Sequence, residues 1–492
     1  MAKLDAKRIL LVHPLGYDSE RAKDDISRLA NIMPPIGILS IAAWLEQHGY
    51  IVDIIDCYAH PDSDALIADS LRNNRPAWIG FSCTTSAFLD GVRLARMAKN
   101  VLPEISTLFG GVHVSSMKER AVEEFPDVDI AIMGEGEETM LELLEAGPDA
   151  DADTLSKISG LVHRMPDGKG NDTGRRKGMD LDRLPFPAYE KLVGYPENYA
   201  LPIFNYPQHP STSCIASRGC PYSCSYCDRS VFGADYRSNS PEYIYNHMKH
   251  LKEQFGIRHI NFYDDQFTFQ TKRVDDLCKL LIDKPLDMTF NCAVRANHVK
   301  ETTLRLMKQA GCWMVSLGIE TGDEDLLKQH RKKSELGDLA DKIRVMSKIG
   351  LRVKGLLMIG LPGETEQTVK RTMDYVFSLP LDDMNLTKFT PFPGSPLYRD
   401  ITAAKGALGE FDERWEKMDC MNIVFVPNGL TRDRMEELFS EFYKRHFTRP
   451  RVIWGYTSML WRSPHSWIRF LSNLPSFLRF AFSDNRFKED KS

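Results

Sequence analysis

The sequence predicts two α/β units in tandem: a doubly wound parallel sheet, then a partial (β/α)6 barrel of the TIM type, followed by a mostly helical tail. Three observations predict it. Short apolar runs alternate with amphipathic stretches up to about residue 150, and again from about residue 211. Small and polar residues gather where those apolar runs end. The alternation stops near residue 406, where basic and aromatic residues take over. With 492 residues, 42% of them hydrophobic and 27% charged, the chain can bury large cores, so wholesale disorder is excluded. A net charge of −5 excludes a protein that coats nucleic acid.

In the first unit the strand candidates are Arg8–Val12, Ile51–Asp56, Trp78–Cys83, Ser106–Phe109 and Ile130–Met133, with helices such as Ile36–His48 and Ala87–Val101 between them. Three small-residue loops follow these strands: Thr84-Thr85-Ser86, Gly110-Gly111-Val112-His113 and Gly134-Glu135-Gly136-Glu137. Such loops at one sheet edge suit a large flat ligand lying across it. Residues 151–205, rich in Gly, Pro and Asp, read as a linker with a small hairpin around Ile158–Arg164. The second unit, 206–405, has strand candidates Thr212–Ser217, His259–Asp264, Met288–Arg295, Trp313–Glu320, Val353–Gly360 and Met384–Thr390. Helices including Pro241–Phe255, Arg273–Leu281, Glu301–Ala310, Leu336–Ile349 and Thr368–Ser378 separate them. Functional residues of such a barrel sit at the C-terminal strand ends.

The N-terminal apolar run, Ile9–Val12, is too short for a signal peptide, and no window approaches a membrane span. A cytoplasmic protein with reduced thiols is the expectation, so clustered cysteines there point to metal or catalysis. Three of the ten cysteines fall within eight residues, at Cys220, Cys224 and Cys227, just after the first barrel strand. Structural zinc prefers four ligands in two separated knuckles, and no second pair with that spacing follows. Zinc or a chance grouping are the weaker alternatives. Iron–sulfur clusters are held by thiolates, and three ligands on a [4Fe–4S] cluster leave one iron open to a substrate or cofactor.

The run Cys220-Pro221-Tyr222-Ser223-Cys224-Ser225-Tyr226-Cys227 resembles the signature of radical S-adenosylmethionine (SAM) enzymes. The preceding alternation, with Pro34-Pro35-Ile36-Gly37 and the two glycine loops at 110–113 and 134–137, resembles their cobalamin-binding Rossmann-like domain. The resemblance covers roughly residues 8–400 and points to the subgroup of the anaerobic magnesium-protoporphyrin IX monomethyl ester cyclase and the C-methyltransferases.

The resemblance implies three cofactors: a [4Fe–4S] cluster, SAM and cobalamin. Cys220, Cys224 and Cys227 would hold the cluster, whose open iron chelates SAM and whose electron cleaves it to a 5′-deoxyadenosyl radical. Tyr226 would lie near the adenine. Asp264-Asp265 stands where many of these enzymes carry Gly-Gly-Glu. Arg295 suits the SAM carboxylate, and Glu320 the ribose hydroxyls. The loops Gly360–Thr365 and Thr390–Gly394 resemble the adenine side. Corrin contacts would come from Cys83, Thr84, Thr85, Ser86, Gly110, Gly111, His113, Gly134 and Glu135. The cobalt-ligating motif of methionine synthase type domains is incomplete: His13 and Gly16 are present, but Leu11 replaces the Asp that orients the histidine. His13 is therefore expected near the corrin and not on cobalt.

The subgroup implies methylation of an unactivated carbon or, alternatively, an oxidative cyclisation without methyl transfer; a non-catalytic cobalamin-binding protein is a further alternative. An electron donor such as flavodoxin or ferredoxin is implied as a partner. Between Tyr443 and Phe482 there are seven Lys or Arg, no Asp or Glu, and the tryptophans Trp454, Trp461 and Trp467. That composition in the 406–492 region suits either a peripheral contact with the inner membrane face or a lid over a small hydrophobic substrate, lipid-like or tetrapyrrole-like. No stacking motif accompanies the charge, so nucleic acid is not expected.

Overall fold

A computed structural model describes residues 3–17 and 25–476. Strand β1 (Asp5–His13) carries the fully buried run Ile9–Val12, so both its faces are covered. It lies between β2 (Ile51–Asp56) and β3 (Pro76–Ser82), and β4 (Ser106–Gly110) and β5 (Ile130–Ile132) follow on the β3 side, all parallel. The strand order reverses at β1, the arrangement of a doubly wound sheet.

The stretch expected as a linker contributes to this sheet. β6 (Leu161–Arg164) and β7 (Gly170–Asp172) form a hairpin that pairs antiparallel with β5, giving seven strands in the order β2-β1-β3-β4-β5-β6-β7. Gly168, at φ +86°, makes the turn that Pro166-Asp167-Gly168 had signalled. The hairpin covers an edge of β5 that would otherwise face solvent.

The second sheet has six strands, all parallel and in chain order: β8 (Ser211–Cys214), β11 (His259–Phe262), β12 (Thr289–Val294), β13 (Cys312–Glu320), β14 (Arg352–Ile359) and β15 (Asp383–Lys388). It curls into a half-barrel, with helices between the strands. The helix Pro241–Phe255 shows how locally these ends are specified: Ser240 caps it, Pro241 fills its first turn and Gly256 closes it in the left-handed region. Between β8 and that helix, two short strands, β9 (Ser217–Arg218) and β10 (Arg237–Ser238), pair antiparallel and leave a loop of residues 219–236.

The C-terminal helices go where the sequence did not place them. The helix Arg432–Phe447 packs Leu438 and Phe442 into the barrel core, with Lys388 paired to Glu436 at 2.6 Å. The helices Pro450–Arg462 and Pro464–Ser472 then lie across the starts of the strands. Tyr456 donates to Asp383 at 2.8 Å and Arg451 pairs with Asp382 at 2.9 Å, both at the beginning of β15. Phe204 packs edge-on against Tyr456 and Trp467. The described helices are therefore no lid over a substrate beside the cysteines, which follow the other end of the sheet, a strand length of roughly 20 Å away. The remainder of the basic stretch, 477–482, lies outside the described residues.

Candidate functional site

The loop 219–236 carries all three clustered cysteines, and its neck is fixed by backbone geometry. Gly219 sits at φ +90°, and a Cβ there would lie 2.2 Å from the Asp235 carbonyl oxygen. Only glycine allows β9 to turn into the loop at this approach. The Cys220 amide donates to the Gly233 carbonyl (3.3 Å), and Ser225, between Cys224 and Cys227, bonds to His330 through both backbone and side chain (3.1 Å each).

Cys220, Cys224 and Cys227 line one cavity of about 520 Å³ at the C-terminal ends of the barrel strands. Tyr226, Asp265, Arg295 and Glu320 line it too. The Cys227 thiol donates to Cys224, and this bond, helped by Lys332, the Tyr226 hydroxyl and Arg295, holds the Cys224 thiol below its ordinary value against the opposing effect of burial. The same bond, with burial, pushes Cys227 up. Burial also raises Cys220. The pair thus favours one thiolate, which is the form that binds iron. Arg295 stacks its guanidinium on Tyr222 (3.5 Å), donates to the Lys333 carbonyl (2.8 Å) and keeps Nε buried and unpartnered. Buried donors without acceptors facing a cavity are what a polar ligand would satisfy.

Asp264 and Asp265 separate. Asp265 lines the cavity and accepts from the Gly219 amide. Asp264 is buried below it, accepting from Ala216 N (2.8 Å) and Ser217 Oγ (2.6 Å), with burial raising its carboxyl to about 6. It ties the end of β8 to the end of β11 and does not reach the cavity. Lys332 escaped the sequence reading because Arg331-Lys332-Lys333 looks like a solvated charge run. It folds inward, pairing with Glu320 at 2.7 Å, both side chains being largely buried. Glu320 sits at φ +65°, a conformation that costs a non-glycine residue energy and turns its carboxylate back toward Lys332.

A second cavity, about 130 Å³, lies at the C-terminal edge of the first sheet. Its walls include Gly37, Ser82, Gly111, Gly134, Glu135 and Glu137. At φ +100°, Gly111 packs so tightly on the Cys83 backbone that a Cβ would lie 2.6 Å from its carbonyl oxygen. This cavity is below the ~300 Å³ of an ordinary small-ligand pocket, so it accommodates only part of a corrin-sized group. Val231 and Phe232 line both cavities, which therefore share a wall.

Several expected corrin residues stand elsewhere. Thr84, Thr85, Ser86, Gly110 and His113 line neither cavity. His113 is buried in an aromatic nest with Phe88 (4.4 Å) and Trp415 (4.5 Å), and desolvation drives its imidazole to about 3, so it is neutral. Glu135 lines the cavity, but its carboxylate is taken by Arg218 (2.7 Å) and Arg237. Arg218 also donates to Glu137 (2.7 Å) and to Ser40 (3.3 Å). The carboxylate expected to be missing beside His13 is present after all: Asp56 of β2 bonds to Nδ1 at 2.8 Å and is itself held by Tyr199 at 3.1 Å. It comes from the neighbouring strand and not from two residues earlier, because β1 and β2 end in register, His13 opposite Asp56.

Comparison with known proteins finds the same two units in the same order. Residues 22–144 match the B12 binding domain and residues 214–376 the Radical SAM superfamily. An uncharacterized methyltransferase of Pyrococcus horikoshii is 30% identical over 85% of this chain and 89% of its own. The anaerobic magnesium-protoporphyrin IX monomethyl ester cyclase of Rubrivivax gelatinosus is 26% identical over 89% of this chain and 77% of its own. The radical SAM methyltransferase TsrM of Kitasatospora setae, solved with cobalamin and a [4Fe–4S] cluster bound, shares the fold with a TM-score of 0.69 at 16% identity, over 90% of this chain and 89% of that one. Both domains in this order, a 30% identical relative matched almost end to end and the common fold place the chain in the family of cobalamin-binding radical SAM enzymes, which work with a [4Fe–4S] cluster, SAM and cobalamin.

Proposed function

We propose that the enzyme methylates an unactivated carbon of a hydrophobic substrate, lipid-like or tetrapyrrole-like, in the cavity that the three cysteines line. The single observation that carries this proposal is the shared wall: Val231 and Phe232 face both the thiol cavity and the corrin-side cavity. When bound, the cluster supplies the electron that splits SAM to a 5′-deoxyadenosyl radical, and cobalamin supplies the methyl group.

The residues of this chain do the holding. Cys220, Cys224 and Cys227 would ligate the cluster. Arg295, with its unpartnered Nε, and Lys332 would receive the SAM carboxylate. Glu320 would accept from the ribose hydroxyls, and Tyr226 would lie against the adenine. Val294, Leu317, Leu339 and Leu356 give the cavity an apolar side, which supports a hydrophobic substrate. The relative named as a tetrapyrrole ester cyclase supports the same substrate class.

Incubation of the reduced, reconstituted enzyme with methyl-labelled SAM and lipid or porphyrin extracts tests the proposal. Label in a substrate carbon together with 5′-deoxyadenosine is the expected result. A desaturated or ring-closed product without label identifies a cyclase instead. Absence of 5′-deoxyadenosine from enzyme that carries both cluster and SAM identifies a cobalamin-binding protein without radical chemistry. The reductant would be a flavodoxin or ferredoxin.

The C-terminal helices support a peripheral membrane contact. Among the described residues no helix is long and apolar enough to cross a membrane. The helices Pro450–Arg462 and Pro464–Ser472 nevertheless turn apolar residues outward, with Trp454 66%, Trp461 62% and Ile468 61% exposed. Arg462 lies beside them, and Tyr443–Ser476 contains no acidic residue. Tryptophan beside arginine on such a face suits the interface of an anionic bilayer. Co-sedimentation with vesicles of anionic and neutral phospholipid checks this: binding to the anionic vesicles, lost in a Trp454→Ala/Trp461→Ala variant, is expected, and equal sedimentation of the variant removes the contact.

A further inference from the structure

Two arginines stand opposite each other at the neck of the cysteine loop, Arg218 on β9 and Arg237 on β10. Both reach out of the barrel to Glu135, which follows β5 of the corrin-side sheet. Arg218 does more than its partner. Its guanidinium is 2.7 Å from Glu135, 2.7 Å from Glu137 and 3.3 Å from Ser40, it lies over the Phe232 ring at 5.6 Å, and it forms part of the corrin-side wall. Only Gly219 separates it from Cys220, so the two Cα atoms are at most ~7.6 Å apart.

The four charges balance, two arginines against two glutamates, and all four side chains are mostly buried. Burial alone would raise the Glu137 carboxyl, but Arg218 and Ser40 outweigh it and hold the group below its ordinary value. Charge-assisted bonds in such a shielded place change steeply with distance. A ligand that displaces Glu135 or Glu137 from the corrin side must therefore displace the neck of the cysteine loop as well.

We propose that Arg218 is a positioning residue that transmits occupancy of the corrin-side cavity to the cysteine loop, so that cobalamin binding sets the geometry of the cluster. The inference rests on the assignment of the two cavities to cobalamin and to the cluster. It adds a coupling that neither cavity has alone, carried by one guanidinium that lines the corrin side and stands two residues before Cys220 in the chain.

The test is the electron paramagnetic resonance spectrum of the reduced cluster in the full chain, with and without methylcobalamin. That probe is diamagnetic, so the cluster signal is read by itself. Iron and corrin are counted on the same samples. In the wild type, methylcobalamin should shift the g-values of the cluster. In Arg218→Met and, independently, in Glu137→Gln, the shift should vanish with iron and corrin per chain unchanged, and Arg218→Lys should restore part of it. A wild type that holds both cofactors but shows no shift overturns the coupling. So does a shift that persists in both variants, or a normal shift in Glu137→Gln when Arg218→Met merely loses its cluster. A wild type that fails to load one of the cofactors counts against the cavity assignment instead.

Discussion

The two cavities solve opposite problems. The thiol cavity is lined by groups left wanting: three free thiols, a buried Arg295 Nε without a partner, and a Glu320 held at positive φ. In the corrin-side cavity the carboxylates are already satisfied, Glu135 and Glu137 being engaged by arginines, and Gly111 closes on the Cys83 backbone; His247 Nε2 is the buried atom there that keeps no partner. Unsatisfied buried donors are costly unless a ligand completes them. The contrast teaches that chemistry is built where the fold leaves bonds open, and position is built where it closes them.

The largest effect expected from this contrast is at the thiols. Cys224→Ala should abolish bound iron and lower activity by more than ~10³-fold, since residues acting as a unit fail together. Iron content and 5′-deoxyadenosine formation measure it. Retention of a full cluster would erase the distinction between the cavities.

Next comes the closed side. Arg218→Met takes the only arginine from buried Glu137, while Arg237 keeps its hold on Glu135, so it should cost about 3–5 kcal/mol of stability, read from denaturant midpoints at neutral pH. The sign with pH follows from Glu137. Its folded-state value is depressed, so its contribution is present above the ordinary carboxylate value and is lost as pH falls through the depressed one. The gap between wild type and variant should therefore shrink in acid. A variant as stable as wild type would mean that the clamp carries no load.

A smaller change tests the open side without dismantling it. Lys332→Met removes a charge-assisted bond to Glu320. At about 1.5–3 kcal/mol for such a bond, the KM for SAM should rise roughly 10- to 150-fold. A change in stability alone, with SAM binding intact, would move Lys332 to the structural side of the comparison.

The smallest effect is a titration. In the apoprotein, thiolate absorbance should show one midpoint below the ordinary thiol value, belonging to the Cys224–Cys227 pair and absent in Cys224→Ser. The thiolate form dominates above that midpoint and is lost below it. Metal loading should remove the titration, because ligation holds the thiolate at every moderate pH.

Much of this was legible along the chain because it is local. Strand runs such as Ile51–Asp56, the helix Pro241–Phe255 with its Ser240 and Gly256 ends, and the spacing of Cys220, Cys224 and Cys227 depend on neighbours only. What stayed hidden depends on which elements lie side by side. Asp56 reaches His13 because β2 borders β1. Glu135 looked free to touch a ligand until Arg218 and Arg237 arrived from more than 80 residues away. Lys332 hid in a charge run, and the tail's aromatic residues gave no sign of which end of the barrel they would cover. Periodicity reports which face of an element is buried, but not against what.

The far end of the half-barrel has a consequence for traffic. Asn205 is held by Asn291 at 2.6 Å and by Lys354 at 3.2 Å, and Lys354 pairs with Asp383, which Tyr456 covers. That end is plugged by bonded polar groups and backed by the C-terminal helices. Substrate, SAM and the spent halves of SAM are thus left with the mouth on the cysteine side. Turnover becomes a matter of queueing: fragments must leave before the next molecule enters, and departure competes with chemistry for the pace of the cycle.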